Sequence, residues 1–159
     1  LATYFNNKTP LVYAALLFLS LVLMFASYAI LSDKLINHHQ ISKGFVLMYS
    51  HIAIVVSILL STVSLLYLQI KNVNKSFLFF LIIGSLSLYY FSLTINQIYN
   101  ENTCKFAIRD FLTLITIFSL GAVYLWLVIS SELGIAICLL IWNLVFFLDF
   151  LMKSKNSLK

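Results

Sequence analysis

His51 has the widest chemical range of any residue in this sequence, because it lies about two turns inside an apolar stretch without charge from residue 44 to residue 70. An imidazole at such a place could ligate haem, hydrogen-bond a quinone oxygen or shuttle a proton. A bis-histidine haem needs a second imidazole at membrane depth, and the other two histidines, His38 and His39, precede the stretch. The three could be imagined around a metal ion, but neither their spacing nor any nearby carboxylate cluster suits one, so no metal site is expected. The plainer reading of His51 is an interfacial or hydrogen-bonded packing histidine.

The other polar residues near apolar runs divide in the same way. Residues 89–100 hold Tyr89, Tyr90, Ser92, Thr94, Asn96, Gln97, Tyr99 and Asn100, which read as an interfacial aromatic and amide belt. The alternative is the polar wall of a ligand pocket, and a pocket lined by His51, Tyr89, Asn96 and Trp142 is the ligand-binding expectation. Arg109 and Asp110 stand together before the fourth run, where Asp110 complements the helix dipole and both can reach headgroups. Their functional alternative is an ion pair or anion contact with a partner subunit. Asp149 follows Trp142 and Asn143 on one helix, and Lys153 four residues on offers it an ion pair. Thr113, Thr116 and Ser119 are expected to bond backbone carbonyls, and Ala53, Ser57, Ser61 and Ser64 to form a packing seam. With no paired carboxylates and no nucleophile–base set, no catalytic residue is expected.

The elements that carry these residues follow from charge. All fifteen charged side chains fall in gaps between five runs, residues 9–32, 44–70, 76–100, 111–131 and 133–148. Crossing the hydrocarbon of a bilayer takes about 20 apolar residues in a helix. Four runs reach that alone, and the fifth does so if Asp149 lies at the interface. Hydrophobic residues are 62% of the chain and charged ones 9%, against about 25% charged in a soluble domain. The expectation is an all-α integral membrane bundle of five helices, about 10–32, 44–70, 76–100, 108–131 and 133–152, in a single domain of 159 residues. One proline, Pro10, and four glycines predict continuous helices without the broken segments of a transport helix. Short connections predict consecutive helices as antiparallel neighbours. The first run is expected to be a retained helix rather than a cleaved signal.

Nine of the ten cations are lysine, and their scatter argues for membrane-flanking anchors and against a nucleic-acid partner. Five spans place Lys34, Lys43, Lys105, Arg109, Lys153, Lys155 and Lys159 on one side and Lys8, Lys71 and Lys75 on the other. Seven cations against three predict the N-terminus outside and the C-terminus in the cytoplasm or matrix. Asn7-Lys8-Thr9 and Asn74-Lys75-Ser76 match the glycosylation acceptor pattern on the outer side. Cys104 and Cys138 form no CxxC pair, and no disulfide between them is expected. Lysine over arginine, with abundant Ile, Asn, Phe and Tyr, resembles the product of an AT-rich genome, as in organelles and reduced bacteria.

Five spans in about 160 residues, with Trp142 followed two turns later by Asp149, resemble the architecture of the tryptophan-rich sensory protein/translocator family. That family binds porphyrins and sterol-like ligands. Its Trp- and Pro-rich first loop is replaced here by Asp-Lys-Leu-Ile-Asn-His-His-Gln-Ile-Ser-Lys at 33–43, and the chain has two Trp. Two functions stand side by side. One is a non-catalytic subunit that packs with other subunits of a complex in an energy-transducing, respiratory-type inner membrane, bacterial or organellar. The other is a carrier that holds a porphyrin, sterol or quinone inside the bundle.

Overall fold

The computed structural model describes residues 11–36, 44–68, 70, 73–100 and 105–156. It is built of five helices, each long and apolar enough to cross a membrane. They are α1 (Leu11–Ile30), α2 (Phe45–Tyr67), α3 (Lys75–Ile95), α4 (Ile108–Val128) and α5 (Glu132–Asn156). Hydrocarbon offers no partner to a backbone N–H or C=O, so an apolar run there closes its own i→i−4 bonds as a helix. Two helices continue past their α-helical part. A π turn, Leu31–Leu35, carries α1 through Asp33 and Lys34, and a 3₁₀ turn, Asn96–Tyr99, tightens the end of α3. The first span therefore runs beyond the expected residue 32, with Asp33 and Lys34 exposed on its last turn.

Local chemistry sets the helix starts. Gly44 precedes α2 with φ +60°, a left-handed conformation that glycine adopts without a Cβ clash. Asn74 caps α3, its Oδ1 accepting from the N–H groups of Ser76 (2.9 Å) and Phe77 (3.3 Å). The second acceptor pattern thus has a structural use, while Asn7-Lys8-Thr9 lies outside the described residues. Asp110 accepts from Ala107 N–H at 2.8 Å at the start of α4, and the Ser131 hydroxyl accepts from Gly134 N–H at 3.1 Å at the start of α5.

The packing order departs from simple succession. α2 packs chiefly on α3 and α4 on α5, as short connections predict, but the chief neighbour of α1 is α5. Both run in the same direction, so the first and last helices are parallel partners. Asn143 on α5 donates to the Ser20 hydroxyl on α1 at 2.8 Å, a polar contact of the kind that joins helices in lipid. The consecutive helices α1 and α2 touch at few points. α3 and α5 form the interior, joined by Tyr90 stacked on Phe146 with ring centroids 3.6 Å apart.

That central position of α3 overturns the interfacial-belt reading of residues 89–100. Tyr89, Tyr90, Ser92, Asn96, Tyr99 and Asn100 are buried among neighbouring helices rather than exposed at a headgroup level. Tyr89 donates to the Met24 carbonyl and Tyr90 to Asn143 Oδ1, so their hydroxyls are satisfied inside the bundle. The Ser57, Ser61 and Ser64 seam on α2 is buried as expected, and Ser61 and Ser64 meet Ser85 of α3 around a space of about 10 Å³. That is room for roughly one water molecule.

Candidate functional site

The weak contact between α1 and α2 leaves a groove at one end of the bundle. Tyr28 and Ser32, four residues apart, supply its α1 wall, and Gly44, Leu47, Met48, His51 and Ile52 supply its α2 wall at helical spacing. Asn96 of α3 lies at its back, and the cavity measures about 410 Å³. A second depression of about 570 Å³ adjoins it through Tyr28 and Ser32 and extends to Phe25, Ala29 and Asp33.

Two hydrogen bonds organise the groove. The Tyr28 hydroxyl lies 2.8 Å from His51 Nδ1, with the ring centroids 5.5 Å apart. With the Tyr28 hydroxyl donating to Nδ1, the ring proton of His51 sits on Nε2. Behind them the Ser50 hydroxyl is shared between Asn96 Oδ1 at 2.5 Å and the Leu47 carbonyl at 2.9 Å. Asn96 is 1% exposed, yet its amide Nδ2 has no partner among the described residues. His51 Nε2 has none there either, and its ring is exposed. The groove thus offers two N–H donors beside apolar walls, with no lysine or arginine among its described lining residues.

A second polar cluster closes the same end of the bundle between α4 and α5. Lys153 Nζ lies 3.0 Å from Asp149 and 3.8 Å from Asp110, so the i,i+4 pair read from the sequence gains a member from α4. The ammonium also sits 4.1 Å above the centre of the Phe106 ring. Side-chain exposure is 15% for Lys153, 15% for Asp149 and 33% for Asp110, so this is a partly buried cluster in which one ammonium faces two carboxylates. Arg109 points outward and makes no ion pair among the described residues.

The four residues expected to line one ligand pocket are divided among three places. His51 and Asn96 share the groove. Tyr89 is fully buried against α1. Trp142 lies in the α4–α5 seam, edge-on to Phe118 at 5.1 Å and pressed on Gly121, where an added Cβ would fall 2.3 Å from its Cε2 atom. Its indole N–H has no acceptor among the described residues. Thr113, Thr116 and Ser119 donate to the carbonyls of Arg109, Leu112 and Ile115, as expected. His38, His39 and Cys104 lie outside the described residues, among which no three His, Cys, Asp or Glu gather for a metal ion.

Reading the sequence missed Tyr28 and Ser50. Tyr28 had a usable signal, since it stands four residues before Ser32, the last residue of its run, and His51 lies near the start of the next. In an antiparallel pair that sets both near the same end of the bundle. Comparison with known proteins matches no family model, no curated protein and no solved structure, so the chain's function is read from its own residues.

Proposed function

We propose that this chain is a non-catalytic integral membrane subunit that packs within a larger membrane complex, oriented with its N-terminus outside and its C-terminus inside. The observation that carries this reading is how the interior is used. Tyr89, Tyr90, Ser20 and Asn143 bond one another or the backbone, Trp142 fills the space above Gly121, and Lys153 is neutralised by two carboxylates. These groups hold helices together. The periphery supports the reading too, because only 11% of the most apolar window of α4 is buried within the chain. The lysine-rich, AT-type composition favours an energy-transducing inner membrane as the setting.

Native-membrane co-purification with mass spectrometry tests it. Recovery of the same membrane proteins in fixed ratio supports a subunit role. A stable, solitary monomer from native membranes would end it.

A further inference from the structure

We propose that the α1–α2 groove binds an apolar molecule presenting a carbonyl oxygen, which accepts hydrogen bonds from His51 Nε2 and Asn96 Nδ2. The argument starts from what the groove holds ready. Asn96 is 1% exposed, lines the cavity, and keeps its Oδ1 on Ser50 while its amide hydrogens remain without a partner among the described residues. Lining the cavity, that amide is placed to donate to a ligand oxygen. The Tyr28 hydroxyl on Nδ1 turns the ring proton of His51 to Nε2, a second donor on the same cavity.

The walls decide the remainder of the ligand. Leu47, Met48 and Ile52, with Phe25 in the adjoining depression, suit an apolar body. No cation lines the groove among the described residues, and Asp33 in the adjoining depression repels anions. A single imidazole without a carboxylate beside it also makes a poor metal site. Two N–H donors beside apolar walls suit an acceptor oxygen on an apolar body. In a membrane two sources have that chemistry, the ring carbonyl of a quinone and the acyl ester of a lipid.

The test uses the full chain with H38Q/H39Q, which leaves His51 as the only histidine, labelled with ¹⁵N-histidine in nanodiscs. The ring resonances are followed as a short-chain benzoquinone is added, in ester-linked and then in ether-linked phosphatidylcholine. A saturable shift of Nε2 with quinone, weakened roughly fivefold by N96L, establishes the quinone source. A difference between the two lipid linkages before any quinone is added establishes the ester source. A resonance indifferent to both, a proton on Nδ1 instead of Nε2, or a quinone shift of equal affinity in N96L overturns the proposal. The readout needs no partner subunit, so it stands or falls independently of the subunit reading above.

Discussion

One end of the bundle holds two polar sites at similar depth, built in opposite ways. Between α4 and α5, Lys153 meets Asp149, Asp110 and the Phe106 ring, so its charge is cancelled and covered. Between α1 and α2, His51 and Asn96 each keep a donor beside an open cavity of about 410 Å³. The difference comes from the connections. α4 and α5 are joined by the short turn 129–131 and pack along their length, whereas α1 leans on α5 and leaves α2 to α3. Close packing ties the charged groups into structure, although the Trp142 indole N–H in the same seam keeps no acceptor among the described residues. Loose packing leaves polar groups available.

That contrast predicts a gradient of stability effects, read by unfolding of the purified protein in mixed micelles. The largest belongs to K153M, which strands two carboxylates and should cost about 2–3 kcal/mol, between exposed and fully buried ion pairs. The double variant D149N/K153M should recover part of the loss, since removing both members of a pair leaves less uncompensated charge. Next comes G121A, whose methyl group would collide with the Trp142 ring and cost about 1–2 kcal/mol. In a W142A background that penalty should vanish, a coupling that a double-mutant cycle measures directly.

The groove should respond far less. N96L removes one acceptor from Ser50, which keeps the Leu47 carbonyl, so about 0.5–1 kcal/mol is expected. H51F loses only the Tyr28 bond at an exposed position, and a change within about 0.5 kcal/mol should result. If H51F proved as costly as K153M, the groove would be a structural seam and the contrast between the two sites would collapse.

How far the sequence foretold these sites depends on the reach of the interactions. Charge-free runs are a local property of the chain, so all five helices and most of their ends were legible, and so was the i,i+4 pair of Asp149 and Lys153. The side-chain-to-carbonyl bonds of Thr113, Thr116 and Ser119 were legible for the same reason. Asp110 joining Lys153, and Asn143 joining Ser20 and Tyr90, depend on which helices meet, and apolarity alone does not encode that. Residues 89–100 misled for a related reason. Tyrosines and amides near a helix end suit an interface or an interior equally, and only the central position of α3 decides between them. Asn96 was singled out early, but its link to Ser50 needed the α2–α3 pairing to appear.

The parallel contact of α1 with α5 also orders the chain in time. The bond between Ser20 and Asn143 spans 123 residues, and ribosomes add roughly 5–20 residues per second. The first helix therefore waits on the order of ten seconds in the bilayer before its chief partner exists. The α2–α3 hairpin can form during that interval, while Ser20 and Ser27 of α1 face lipid or a chaperone. Arrival of the last helix completes the assembly, so a chain truncated before α5 would display an unmated, serine-bearing first helix that membrane quality control can recognise.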